Sequence, residues 1–115
     1  AGDYSSVGGG FENSVSGTCA TIAGGISSVA SGYASVVAGG RQNKAVASYS
    51  SVGGGYLNSN SGSYSCVGGG NANFINGSSW YSSIAGGYFN EVHANFDSIG
   101  GGVRNHIEQP YSVIA

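Results

Sequence analysis

Residues Ser51 to Ser65 read SVGGGYLNSNSGSYS, and Cys66 to Gly77 begin the same phrase again as CVGGGNANFING. Outward from this pair, a Val or Ile followed by Gly or Ala and then Gly-Gly recurs at Val7, Ile22, Val37, Val52, Val67, Ile84 and Ile99, and Ile114-Ala115 opens it once more. The spacing is 15 residues throughout except from Val67 to Ile84, where it is 17. Repetition at a short fixed period marks a solenoid, in which each unit buries its apolar face only against its neighbours. The two extra residues fall near Ser78 and Ser79, beside Trp80, and predict a small bulge or loop in that coil.

Each unit divides into two seven-residue halves of pattern x-x-(Asn/Ser)-x-(Val/Ile)-x-Gly with one further Gly between them, as in Ser48 to Gly54, Gly55, and Tyr56 to Gly62. Alternation within a half is the period of 2 expected of a strand with one face buried. The prediction is therefore an all-β chain, a parallel β-solenoid of about seven 15-residue coils forming one domain over residues 1–115. Ser5, Ala20, Ser35, Ser50, Ser65, Ser82, Asp97 and Ser112 fall in one inward column, with the Val/Ile set above in the next. The second half supplies Asn13, Ser28, Asn43, Asn58, Asn73, Asn90 and Asn105, followed by Val15, Ala30, Ala45, Asn60, Ile75, Val92 and Ile107.

Two short strands enclose no thick core, so stability must come from like residues stacking on neighbouring coils. An Asn column at 13, 43, 58, 73, 90 and 105 predicts a structural ladder of inward amides bonded from coil to coil. An unpaired buried amide would cost roughly 1–3 kcal/mol. Glycines are expected at the corners, where a reversal needs positive φ or no Cβ. Seven coils at strand spacing give a rod roughly 34 Å long.

The composition excludes several functional classes. With three Lys/Arg in the whole chain and a net charge of −2 there is no basic patch for a nucleic-acid backbone and no polybasic membrane anchor. No stretch has the length of a membrane span, and no signal peptide opens the chain. Without an initiating Met it reads as a processed chain or an excised piece. Cys19 and Cys66 fit neither a disulfide framework nor a zinc site, and three coils apart, roughly 14 Å, they cannot bond to one another. Their expected role is packing.

The first half-repeat presents outward Tyr4, Cys19, Ala34, Tyr49, Tyr64, Tyr81, Phe96 and Tyr111, then Ser6, Thr21, Val36, Ser51, Cys66, Ser83, Ser98 and Val113, then Gly or Ala from Gly8 to Ala115. Aromatic rings at strand spacing either stiffen the rod or form an assembly interface. The interface reading singles out Tyr4, Tyr49, Tyr64, Tyr81, Phe96 and Tyr111. The second half carries most of the charge outward: Glu12, Gln42, Lys44, Glu91, His93, Arg104, His106 and Glu108. In the register Glu91 lies over His106 and His93 over Glu108; these are read as solvated cross-strand pairs rather than as a metal site. Asn76-Gly77-Ser78 matches a glycosylation sequon at close to chance frequency in so Asn- and Ser-rich a chain.

Catalysis finds no footing. The two His have carboxylate neighbours but no nucleophile–base–orienter order, and the Ser residues belong to the repeat. The Gly-Gly-Gly runs are not followed by the Lys-Ser/Thr of a phosphate loop, and the Asp of calcium-binding rolls is missing from every coil. No cofactor or metal is expected.

The half-repeat resembles two families of left-handed β-rolls. In Ser6-Val7-Gly8-Gly9, Ser51-Val52-Gly53-Gly54 and Ser83-Ile84-Ala85-Gly86 it is similar to the core of trimeric autotransporter adhesin heads and of phage or giant-virus fibre modules. In Phe11-Glu12-Asn13-Ser14-Val15-Ser16-Gly17 it resembles the repeats of grass ice-recrystallisation inhibitors. The first resemblance implies a left-handed roll in a structural or adhesive fibre segment at a cell or virion surface. Such a segment would be extracellular and homo-oligomeric, a trimer or filament, with a host-surface receptor or glycan as candidate partner. The second implies ice binding on the flat Ser/Thr/Val column. A third reading, a self-assembling extracellular filament, follows from a chain that opens and closes inside a repeat without a polar cap.

Overall fold

A computed structural model describes residues 3–115. The fold is the expected parallel β-solenoid, with all-strand coils of about 15 residues and overall extents of 35 × 21 × 14 Å. Eight strands from Ser6–Val7 to Val113–Ile114 form one parallel sheet, and seven from Ser14–Val15 to His106–Ile107 form the other. Each strand is only two residues long and pairs with its equivalents in adjacent coils, so Val52 lies beside Val67 and Asn60 beside Ile75. A third ladder, absent from the two-strand reading, consists of single bridges through Phe11, Ile26, Arg41, Tyr56, Asn71, Tyr88 and Val103.

Alternation fills the interior. Ile22, Val37, Val52, Val67, Ile84 and Ile99 from the first sheet face Ala30, Ala45, Ile75, Val92 and Ile107 from the second, and nearly all are fully buried. Asn60 stands in this apolar column with its amide satisfied: Nδ2 donates to the Ser51 and Ser65 carbonyls at 3.0 and 2.8 Å, and Oδ1 accepts from the Gly62 N–H.

The asparagine column points inward. Asn43, Asn58, Asn73 and Asn90 are completely buried. The partners, however, are mostly backbone. Asn58 Nδ2 donates to Gly54 O in its own coil at 2.8 Å and to Gly70 O in the next at 3.0 Å, while its Oδ1 accepts from the Asn73 N–H at 2.9 Å. Among the described residues, only Asn90 donates to another Asn side chain, that of Asn73. The amide is thus a clip between two glycine corners and the following strand.

The corners depart from expectation. Of each glycine run only the last residue has positive φ, as at Gly55 with φ 87°. Two further left-handed positions per coil are occupied by residues other than glycine. One is the Tyr4, Cys19, Ala34, Tyr49, Tyr64, Tyr81, Phe96 and Tyr111 column; the other is Glu12, Ser27, Gln42, Leu57, Ala72, Phe89 and Arg104. The tyrosines therefore sit at a corner, two residues before the strand, and not on its outward face. A left-handed residue other than Gly costs roughly 1–2 kcal/mol. What offsets it is a peptide flip. Strand N–H groups donate to the following coil, as Ser51 does to Ser65 O at 3.1 Å, whereas the corner N–H of Tyr64 donates back to Ser48 O at 3.1 Å. Leu57 does the same to Arg41 O at 3.1 Å.

The two-residue insertion is absorbed as a turn at Gly77–Ser78, and neither sheet loses register: Cys66 still pairs with Ser83 and Phe74 with Glu91. Ser79 goes into the interior, its Oγ donating to Val92 O at 3.2 Å and its carbonyl accepting from Ser65 Oγ at 3.1 Å.

Candidate functional site

Left-handed backbone at the tyrosine corner aims each ring outward, and parallel strand pairing sets the rings one coil apart. Five of them stack in sequence. Tyr49–Tyr64 and Tyr64–Tyr81 have centroids 5.0 Å apart, Tyr81–Phe96 5.4 Å and Phe96–Tyr111 5.1 Å, with planes within 11° of parallel. Tyr33 closes the upstream end edge-on, 5.5 Å from Tyr49. This ring escaped sequence reading because it lies one residue before its column, where Ala34 stands; the signal was an aromatic flanking the gap. Tyr4 is 90 % exposed and lies beyond Cys19 and Ala34, so it is not part of the continuous ridge. The stacked members from Tyr49 to Phe96 are about half exposed, Tyr64 at 51 %, while Tyr111 at the end of the stack is 77 % exposed. Their ring faces cover one another, which leaves edges rather than faces to solvent.

The outward strand column beside this corner is made of small side chains, Ser or Thr at five of its eight positions and Val36, Cys66 and Val113 at the others. Ser6 donates to Thr21 at 3.2 Å and Ser83 to Ser98 at 3.4 Å along it. Cys66 belongs to this column and Cys19 to the corner, and both thiols are free and exposed. The expected packing role does not hold, because the inward neighbours Ala20 and Val67 fill the core instead. Farther round the coil, Gly9, Gly24, Gly39, Gly54, Gly69, Gly86 and Gly101 have no positive φ, and an added Cβ would meet nothing closer than 4.0 Å. Nothing among the described residues requires glycine there.

On the second sheet, Glu91 and His106 are register partners in adjacent strands. Glu91 Oε2 lies 3.1 Å from His106 Nδ1 and 3.2 Å from His93 Nε2. His106 Nε2 reaches Glu108 Oε1 at 2.9 Å, and the two imidazoles stack 4.8 Å apart. The expected His93–Glu108 pair does not form; His93 turns along its own strand to Glu91, and its Nδ1 meets Asn76 Nδ2 at 2.9 Å. The hydrogen bond to Glu108 chiefly, supported by Glu91, raises the His106 pKa above its ordinary value. A shallow pocket beside the cluster is lined by Phe89, Glu91, Arg104, Asn105 and His106. Arg41 lies over the ring of Tyr56, 5.7 Å from its centroid, on the third side.

One inward residue brings a carboxylate into its column. Asp97 is buried where the other coils place Ser or, at Ala20, Ala; Oδ1 accepts from the Ser112 N–H at 2.8 Å, and Oδ2 has no hydrogen-bond partner among the described residues. Among those residues, no helix is long and apolar enough to cross a membrane.

No protein-family description matches the chain, and no curated protein matches it.

Proposed function

We propose that this chain is a non-enzymatic rod, a structural or adhesive segment of an extracellular cell-surface or virion-surface fibre, which associates laterally with copies of itself through the aromatic ridge. The observation that supports this most is the contrast between two corners of one coil. Both have φ near 55° and both return an N–H to the preceding coil. One presents Glu, Ser, Gln, Leu, Ala, Phe and Arg, so the backbone there accepts almost any side chain. The other is aromatic at six of eight positions. That selectivity therefore has a source outside the coil's own backbone. Contiguous exposed apolar surface of this kind, running along much of the rod, is a mark of an interaction site. The open glycine column at Gly54 and its equivalents leaves room for close approach of a neighbouring chain. Mutual stacking argues against sugar capture by ring faces, since only the end rings have one uncovered.

Sedimentation of the intact chain and of Tyr64→Asp tests the reading. An oligomer that dissociates in the variant, with the β signal of circular dichroism unchanged, supports it. A monomeric parent, or an oligomer indifferent to Tyr64→Asp, overturns it.

Ice binding is the second reading. It is favoured by the placement of the tyrosines at the corner, which leaves Ser6, Thr21, Val36, Ser51, Ser83 and Ser98 in strict register on the strands. Faceted ice growth that Ser51→Tyr abolishes would promote it; isotropic growth removes it.

A further inference from the structure

We infer that Glu91, His93 and His106 form a binding site for a divalent transition-metal ion of the Zn²⁺ type on the outward face of the second sheet. The sheet gathers the donors. His93 directly follows the strand Glu91–Val92, two residues beyond Glu91 and on the same face, and parallel pairing brings His106 beside Glu91 from the next coil. One ligand atom from each of the three lies within 4.8 Å of the others. Around a tetrahedral ion with bonds near 2.0–2.1 Å, ligand atoms stand about 3.4 Å apart. Glu91 Oε2 is already 3.1 and 3.2 Å from the two imidazole nitrogens. Only the His93–His106 edge has to adjust, by tilting two partly exposed rings, and water supplies the fourth ligand. Two His and one carboxylate are an established donor set for zinc with an open position.

The surroundings of His106 match this use. Its Nε2–H donates to Glu108 Oε1 at 2.9 Å, the carboxylate–imidazole arrangement that orients metal-ligating histidines. That tautomer turns the Nδ1 lone pair toward Glu91 Oε2. Two acceptors then face each other, and a cation must lie between them, a proton or a metal ion. Binding of the ion releases any proton held there to water.

The inserted turn controls the other ligand. Ser78 N–H donates to Asn76 Oδ1 at 3.2 Å, which directs Asn76 Nδ2 at His93 Nδ1. His93 then keeps its proton on Nε2, the atom the metal needs. Loading requires that proton to move to Nδ1 and the Asn76 amide to turn its oxygen toward it. An Asp at position 76 would accept both hydrogen bonds without turning.

The same outward column in other coils is Ser14, Val29, Lys44, Ser59 and Phe74, so the donors are confined to two coils. The test is calorimetric titration with ZnCl₂ in a Cys19→Ser, Cys66→Ser background, because exposed thiols bind zinc themselves. Saturable binding of one ion per chain is expected. It should be lost in His93→Ala and in His106→Ala, weaken about 10–100-fold in Glu108→Gln, and tighten in Asn76→Asp. Circular dichroism should stay unchanged in all four, since their side chains point outward. No saturable binding, or binding that survives loss of both histidines, overturns the site.

Discussion

Every coil turns at positive φ in three places, yet only one of the three demands glycine. At Gly55 a Cβ would stand 2.1 Å from Gly70 O and 2.7 Å from Asn58 Nδ2, crowded by the next coil and by the inward amide. At Tyr64 and Leu57 φ is 57° and 58°, and the side chain leaves into solvent. The left-handed conformation alone is thus tolerated at fifteen non-glycine positions among the described residues, thirteen of which, from Cys19 to Tyr111, return a hydrogen bond to the preceding coil. What requires glycine is crowding. A corner's residue type reports on what lies against it, inside or outside the chain.

The sharpest way to break this comparison is to exchange two neighbouring glycines. Gly55→Ala should destabilise the rod by more than about 3 kcal/mol, since the new methyl meets backbone at a distance no side-chain rotation relieves. Gly54→Ala, with nothing near its Cβ, should stay within about 0.5 kcal/mol of the parent. Denaturant midpoints measure both, and equal effects would show that neither crowding nor φ selects glycine at the corner.

The inward amide comes next. Asn58→Leu leaves Gly54 O, Gly70 O and the Asn73 N–H without their side-chain partner, and should cost about 3 kcal/mol. An unchanged midpoint would mean that the clip contributes nothing beyond space filling. Asp97 offers the opposite sign. Ser at this column accepts the next coil's N–H through Oγ, as Ser82 does from Asp97, so Asp97→Ser should keep that bond and remove a buried unpaired oxygen. The expected gain is about 1–2 kcal/mol, read as a higher melting temperature.

These effects follow what could be read in the sequence. Period and alternation place the inward columns, because burial leaves a chemical signature: the columns of Val52 and Asn58 recur by type, whereas Ser79 of the insertion, buried outside the period, carries none. The conformation of outward corners leaves none, since Glu12, Leu57 and Arg104 share a φ that no composition encodes. The single-bridge ladder through Tyr56 was invisible for a related reason, one residue being too short to alternate. Side-chain partners on the outer face depend on rotamer choice, which is why the donors Glu91, His93 and His106 could be placed on one face while the His93–Glu108 pairing was misassigned. The exposed thiols of Cys19 and Cys66 show the same limit.

The smallest effect separates the two outward corners themselves. Tyr81 stacks between Tyr64 and Phe96, and offset aromatic pairs contribute about 0.5–1.5 kcal/mol each beyond their buried area. Some of that is already present in a monomer, so Tyr81→Ala should lower folding stability by about 1–2 kcal/mol at concentrations too low for association. Gln42→Ala, at the matching corner with Ser27 and Leu57 above and below, should change it by less than about 0.5 kcal/mol. The concentration series then divides the ridge's contribution. If the ridge is an interface, the penalty of Tyr81→Ala must grow as protein concentration rises, because the parent gains stability from assembly and the variant does not. If it only stiffens the rod, the penalty stays constant with concentration and the matched corners differ by stacking alone.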